Sequence, residues 1–250
     1  MPLYGTRDVS SLVAGAPLMH GFDTPTWELK GAAVLQLMYE IRQDAIVSLI
    51  PPALHPTIPP TLVFTVTNVP ESSVGPFTLA EIRVGCRAGA RPRGFVPRCY
   101  VDTQPAADAL RERWGYPVEV ADVRLKRGYD RVTGTVSVAG KLILEVALND
   151  PQPISGSDIL YLAALNLARV ERNGETINRI VQVDPDYVFH KADRGKPQLS
   201  TFDPAAWGVA GADAWWPVSA SCAVTDITMP RIRYVLDPEI PALQGVEKVG

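Results

Sequence analysis

Short runs of apolar residues, several of them alternating with polar ones, dominate the chain, and Gly or Pro separates most of these runs. Segments of this length and spacing are typical of β-strands. The clearest are "AAVLQLMYEI", "TLVFTVTNV", "AEIRVGCRA", "RVTGTVSV" and "KLILEVALN". The pair Asn173-Gly174 in "ERNGET" predicts a type I′ hairpin between two strands. We therefore expect a mainly antiparallel β fold, either a barrel or a sandwich.

Two segments between the strands have helical signals instead. "RQDAIVSLI" predicts a helix with Asp44 as N-cap that a Pro-Pro pair ends. "DTQPAADALRERWG" predicts a second helix, with Asp102 or Thr103 as cap, Pro105 in the first turn and Gly115 just past the end. The chain then passes directly from this helix into a strand, which is a usual place for a side chain to enter a pocket.

Composition favours one globular domain over residues 1–250, since hydrophobic residues make up 46% of the chain and charged residues 20%. A net charge of −3 gives no basic surface for nucleic acid, and no apolar run is long enough to span a membrane. Cys86, Cys99 and Cys222 have no metal-ligand spacing, which predicts free thiols in the cytoplasm. No phosphate-loop or metal motif is present, so we expect a small-molecule substrate, no cofactor and no metal.

Arginines are dense in "CRAGARPRGFVPRCYVD", which contains Arg87, Arg91, Arg93 and Arg98. The first three fit a solvated loop. Arg98 lies in a strand-like stretch, and an inward-pointing guanidinium would need an anionic partner or ligand. Both placements of Arg98 stay open at this point.

Several stretches together resemble the acetoacetate decarboxylase family. They are "AEIRVGCR", "GFVPRCYVDTQPAADALRERWGYPVEVADVRL", "DRVTGTVSVAGKL", "LNLARVERNGETINRIVQV" and "DITMPRIRYVLD". The resemblance runs from about Tyr39 to Leu236 and implies an antiparallel β-barrel shaped like a cone around the active site. It also implies a homo-oligomer, as such relatives usually form.

The family mechanism depends on a lysine that forms an imine with a ketone, in a segment where an aromatic-Pro pair precedes two lysines. Here the aromatic-Pro pair is Tyr116-Pro117, and the next residues are Val118 and Glu119. Valine has no nucleophile, so the family imine cannot form at this position. The resemblance therefore implies that the scaffold is kept without its signature chemistry.

Other pocket positions of the family also differ. By resemblance, a family glutamate falls at Thr65 and a family arginine near Ala32, whereas Glu81 matches a family pocket acid. Arg98 and Cys99 stand where the family more often has apolar residues. We expect Arg98, Val118, Tyr116, Thr65 and Cys99 to contact substrate.

Three functions fit these residues. The first is a lyase, dehydratase or cyclase in which Glu119 and Glu81 transfer protons on a β-oxygenated carbonyl compound. The second is a non-covalent template, such as a pericyclic cyclase, or a silent binding protein. The third is a decarboxylase or aldolase whose amine comes from Lys30, Lys126 or Lys141.

Overall fold

The computed structural model describes residues 3–249, and strands form the larger part of them. The strands are β1 (Leu18–Met19), β2 (Trp27–Ile41), β3 (His55–Pro56), β4 (Thr61–Val69), β5 (Phe77–Arg87), β6 (Pro92–Phe95), β7 (Cys99–Val101), β8 (Val118–Val120), β9 (Asp122–Arg127), β10 (Arg131–Val138), β11 (Lys141–Pro153), β12 (Ala163–Arg172), β13 (Glu175–Val183), β14 (Asp186–Phe202), β15 (Ala214–Met229), β16 (Tyr234–Leu236) and β17 (Val246–Lys248). The helices are α1 (Val9–Val13), α2 (Gln43–Ile46), α3 (Gln104–Trp114) and α4 (Ala242–Gly245), with a 3₁₀ turn at Gly156–Asp158. None of the described helices is long and apolar enough to cross a membrane.

Strands β9, β10, β11, β14, β15, β2, β4 and β5 pair in that order, each antiparallel to the next. From β5 the sheet continues through β6 to β12, β13, β16 and β17. Parallel pairs occur only at β1–β12, β6–β12 and β7–β8 within residues 3–249. The predicted mainly antiparallel fold is confirmed.

The sheet is not closed into a barrel, so the predicted closure is wrong. It forks at β5, because β7 pairs with residues 79–81 of this strand and β6 pairs with residues 84–87. Neither of these partners reaches Ile82 or Arg83 on that edge. The fork leaves Arg83 without a backbone partner on that edge, where a continuous sheet would have a paired strand.

The local predictions had mixed outcomes. The hairpin between β12 and β13 is confirmed, with positive φ at Asn173 (53°) and Gly174 (81°). Helix α3 begins after Thr103 and ends at Gly115, as predicted. Helix α2 is only four residues long and has Arg42 rather than Asp44 at its N-cap. It stops early because the turns that follow are closed by tighter i→i+3 bonds, from Ser48 N to Ala45 O and from Leu49 N to Ile46 O.

Strand β5 is covered on both faces, so it carries two different sets of side chains. Ala80, Ile82 and Val84 point into the larger hydrophobic cluster, which also contains Phe64. The opposite face carries Leu79, Glu81 and Arg83, since side chains alternate along a strand. This second face meets the smaller cluster, to which α3 contributes Ala106, Ala107, Ala109, Leu110 and Trp114. Two charged residues are thus enclosed between a sheet and a helix.

The exit from α3 requires glycine. Gly115 has a φ of 64°, and a Cβ at this position would lie 2.7 Å from the Cβ of Ala168. Its N–H donates to Arg111 O, which closes the helix with the left-handed cap that the sequence predicted. The cap fixes the direction in which Tyr116 leaves the helix.

Candidate active site

Four of the residues that the sequence singled out form one row across the sheet. Thr65 pairs with Glu81, Glu81 with Cys99, and Cys99 with Val118, on β4, β5, β7 and β8. Residues that pair directly point to the same face of a sheet. Val118 therefore lies two strand spacings from Glu81, or about 10 Å.

Glu81 forms an ion pair with Arg83, two residues along the same strand. The Arg83 Nη2 donates to Glu81 Oε1, and the Arg83 Nη1 donates to the carbonyl of Leu162. Both side chains are buried, with exposed fractions of 7% for Arg83 and 5% for Glu81. Burial lowers the pKa of Arg83, but Glu81, Tyr116 and Tyr187 together outweigh burial, and the net pKa is raised. The Arg83 guanidinium is therefore kept charged although water has little access to it.

A cavity lies against this pair, and we call it the Glu81 cavity. Its volume is about 50 Å³, several times the roughly 10–15 Å³ that one buried water requires. The space suits a ligand of a few heavy atoms. Its lining is mostly apolar and is formed by Leu29, Val34, Thr65, Thr67, Val69, Phe77, Leu79, Glu81, Arg83, Leu110, Tyr116, Tyr161, Pro185, Tyr187, Ile227 and Met229.

Several polar atoms of the lining have no hydrogen-bond partner among the described residues. They are Glu81 Oε2, Thr65 Oγ1, Arg83 Nε and the Tyr161 hydroxyl. Leaving a buried polar group unpaired costs about 1–3 kcal/mol each, and more when the group is charged. Four such groups around one small space are the arrangement expected of a binding site whose ligand supplies the missing partners.

The phenols of the Glu81 cavity are held in the neutral form. Burial raises the pKa of Tyr187 to about 12, although the nearby Arg83 acts in the opposite direction. Burial also raises the pKa of Tyr161, and burial together with the charge of Glu81 raises that of Tyr116. Neutral phenols can donate hydrogen bonds at neutral pH. The cavity thus contains one carboxylate that can accept a proton and phenols that can stabilise a negatively charged oxygen.

Val118 and Glu119 point to opposite faces of the sheet, as successive residues of a strand do. Val118 is buried within the smaller hydrophobic cluster, whereas the Glu119 side chain is 52% exposed. Glu119 pairs with Tyr100 across the sheet, one position along from the row that contains Glu81. The structure therefore does not bring Glu119 and Glu81 together, and the expectation that they share one pocket has to be corrected.

Glu119 lines a second cavity, which we call the arginine cavity after Arg7, Arg98 and Arg111 in its wall. Val118 lines this cavity too, and Tyr116 lies in the wall of both cavities. Arg98 does not point into the Glu81 cavity. Its Nε lies 3.4 Å from Glu119 Oε1, and its Nη1 donates to Ala206 O at 3.1 Å.

The predicted contact residues thus divide into two groups. Thr65, Tyr116 and Glu81 line the Glu81 cavity, while Arg98, Val118 and Glu119 line the arginine cavity together with Tyr116. Cys99 belongs to the row across the sheet but lines neither of these cavities. Burial raises the pKa of its thiol well above the ordinary value, which disfavours the reactive thiolate.

Sequence reasoning missed Arg83, Tyr161 and Tyr187. The sequence did contain a signal for Arg83, because an acidic and a basic residue two positions apart in an apolar strand point to the same face of the sheet. The two tyrosines had none, since one precedes β12 and the other opens β14, far from β5 in the chain. Their rings meet at a centroid distance of 4.7 Å beside the ion pair.

Comparisons with known proteins agree with this architecture. The family described as Acetoacetate decarboxylase (ADC) matches residues 14–237. An acetoacetate decarboxylase of Clostridium botulinum (strain Eklund 17B / Type B) is 24% identical over 213 residues, which are 80% of this chain and 85% of that protein.

Solved structures share the fold. The acetoacetate decarboxylase of Legionella pneumophila superposes with a TM-score of 0.72 at 19% identity, over 84% of this chain and 86% of that one. MppR, an enduracididine biosynthesis enzyme complexed with the condensation product of pyruvate and imidazole 4-carboxaldehyde, gives a TM-score of 0.65 at 18% identity. That match covers 82% of this chain and 87% of MppR.

Proposed function

Because the chain belongs to the acetoacetate decarboxylase family, we propose that it is an enzyme that works in the Glu81 cavity by proton transfer, without an imine. The substrate class is a small β-oxygenated carbonyl compound, and the reaction is a lyase or dehydratase step. The observation that carries this proposal is the unpaired, buried Oε2 of Glu81, which lies among neutral phenols.

The proposed step begins with Glu81 as general base. Its free oxygen removes the proton from the carbon next to the substrate carbonyl, and the electrons of that C–H bond form an enolate. Phenol donors such as Tyr161 stabilise the enolate oxygen, in the manner of an oxyanion hole. The enolate then expels the β-oxygen, and protonated Glu81 returns its proton to this leaving group as water forms. Atoms and charge balance without a cofactor.

Arg83 holds the carboxylate in place. Its hydrogen bond to Oε1 leaves Oε2 as the oxygen that faces the reacting carbon. We assign no proton transfer to Glu119, because its side chain leaves the opposite face of the sheet.

An imine with a relocated lysine has no support in the geometry. Among the described residues no lysine lines the Glu81 cavity. Lys30 lies near Glu28, Lys141 pairs with Asp203, and Lys126 is exposed. Borohydride in the presence of pyruvate should therefore leave the protein mass unchanged, and a reduced adduct on any of these lysines would restore the imine hypothesis.

The proposal is tested by exchange of substrate protons with solvent. We expect the protein to catalyse incorporation of deuterium from D₂O next to the carbonyl of at least one member of a panel of 2-oxo acids and β-hydroxy ketones, followed by NMR. Glu81→Gln should lower the exchange rate by ~10²–10⁴-fold, the usual range for loss of a general base. Glu145→Gln, which removes a carboxylate on β11 that lies 3.7 Å from Arg131, is the matched control.

A non-covalent template is the second candidate, favoured by the largely apolar lining of the Glu81 cavity. A template acts through shape, so Glu81→Gln would change little and Thr65→Leu, which fills the cavity, would abolish activity. If panel members bind, as shown by a raised melting temperature, and none of them exchanges a proton, the acid/base proposal is contradicted. The expectations of a single domain and a homo-oligomer also stay predictions.

A further inference from the structure

The arginine cavity collects three guanidinium groups from distant parts of the chain. Arg7 precedes α1, Arg98 lies between β6 and β7, and Arg111 belongs to α3. The volume of the cavity is about 280 Å³. The protein as a whole carries a net charge of −3, so this cluster is not the result of a basic composition.

Each guanidinium is held in place by a backbone carbonyl. Arg7 Nη1 donates to Gly208 O at 2.8 Å, and Arg98 Nη1 donates to Ala206 O at 3.1 Å. Arg111 donates to Val118 O from Nε at 2.9 Å and from Nη2 at 2.6 Å. Carbonyl partners orient a guanidinium without neutralising its charge. A guanidinium has five N–H donors, so Arg7 and Arg98 retain donors for a ligand.

Negative charge around this cavity is scarce. Within residues 3–249, Glu119 is the single acidic side chain of the lining, and it lies 3.4 Å from the Nε of Arg98. Asp108 contacts Arg111 at 3.3 Å but lies outside the lining. Burial and, to a lesser extent, the charge of Arg98 lower the pKa of Arg7, the direction expected for a cation beside another cation. The lining holds three cations and one anion, and Asp108 offsets the charge of Arg111 from outside it, so a net excess of one positive charge remains.

We propose that the arginine cavity is a binding site for the oxyanion group of a small molecule, a carboxylate or a phosphate, and that Glu119 is the resident counter-charge that this anion displaces from Arg98. Arginine is suited to this role because its planar fork matches two oxygens at once. The inference does not depend on catalysis at Glu81, since binding can be measured without turnover.

Isothermal titration calorimetry with inorganic phosphate and, separately, with pyruvate tests the proposal and distinguishes the two anion sources. We expect at least one of them to bind in low-salt buffer, and choline chloride at equal ionic strength to give no heat of binding. Arg98→Gln and Arg7→Gln should each weaken binding about 10–100-fold, the size of a lost charge-assisted hydrogen bond. Glu119→Gln should tighten binding several-fold, because it removes the competing anion.

Arg233→Gln is the matched control. Arg233 lines a separate basic groove with Arg172, Arg231 and Lys248, so its loss should leave the affinity unchanged. If wild type binds neither anion at millimolar concentration, or if Arg233→Gln weakens binding while Arg98→Gln does not, the assignment is wrong. Weaker binding in Glu119→Gln would equally overturn the role given to Glu119. Arg98 is partly exposed, so its variant remains informative even where Arg7→Gln does not fold.

Discussion

Removal of one partner from the buried Glu81–Arg83 pair should cost far more stability than removal of an exposed pair. Arg83→Met keeps most of the side-chain volume and leaves the Glu81 carboxylate without its cation. Both side chains are nearly inaccessible to solvent, and Arg83 also loses its bond to Leu162 O. Breaking a buried pair in this way costs about 3–5 kcal/mol. For a chain of this length that corresponds to a fall in melting temperature of about 6–20 °C.

The double variant Glu81→Leu/Arg83→Met supplies the decisive comparison. Replacing both partners with apolar residues leaves no unpaired charge, and such replacements are often neutral or stabilising. We therefore expect the double variant to be more stable than either Arg83→Met or Glu81→Leu. A double-mutant cycle should give a coupling energy at the upper end of the roughly 0.5–3 kcal/mol that is usual for residues in direct contact.

Urea denaturation followed by circular dichroism gives the free energies of unfolding, with constant m-values as the check that the native state is intact. Arg124→Met is the control, since Arg124 forms an exposed pair with Asp122 and its loss should leave the free energy of unfolding almost unchanged. If Arg83→Met costs no more than Arg124→Met, or if the two single costs simply add, the pair is not isolated from solvent as the structure has it.

Three further outcomes follow from the same region. Gly94→Ala should destabilise the fold and disturb the Glu81 cavity, because the new Cβ would lie 2.5 Å from the Cβ of Arg83; a melting curve beside the deuterium-exchange assay measures both effects. Gly115→Ala should lower the free energy of unfolding, measured by urea denaturation, by more than about 1 kcal/mol. The alanine would have a left-handed φ and a Cβ only 2.7 Å from the Cβ of Ala168. The raised pKa of Tyr187, about 12, favours the neutral phenol in the folded state. The neutral Tyr187 phenol therefore contributes its full share of the free energy of unfolding below about pH 10, the pKa of an unfolded tyrosine. This contribution is lost as the pH rises towards 12. Unfolding free energies measured between pH 9 and about 12 should fall less steeply in Tyr187→Phe than in wild type.

Periodicity was sufficient to predict most of the strands, the Asn173-Gly174 hairpin and α3, because these depend on local conformational preference, but it did not predict β14. It could not predict the fork at β5. Pro97, in the short loop between β6 and β7, marks a break in the strand, but it does not indicate which part of the β5 edge each of the two strands pairs with. The predicted barrel closure was wrong for this reason.

For the site as well, contacts between adjacent strands could be predicted from the sequence, whereas contacts between remote segments could not. That Glu81 and Thr65 lie together follows from the pairing of two adjacent strands. The separation of Glu119 from Glu81 also follows from alternation, since Val118 and Glu119 are successive residues of one strand and only Val118 belongs to the Glu81 row. Tyr161 and Tyr187 enter from remote segments, and only tertiary packing places their hydroxyls beside Arg83.

The surroundings of Tyr116 indicate how valine rather than lysine at position 118 affects the two cavities. Tyr116 lies in the wall of both cavities, between an ion pair on one side and the arginine cluster on the other. An amine at position 118 would project on the face of Val118, within the smaller hydrophobic cluster and next to cations that would oppose its protonation. Valine leaves that space apolar, and within residues 3–249 Arg83 is the one cation that forms an ion pair with Glu81. A base whose charge is balanced by one fixed guanidinium can act on a neutral carbon acid without a covalent intermediate, and the chemistry proposed for the Glu81 cavity rests on this arrangement.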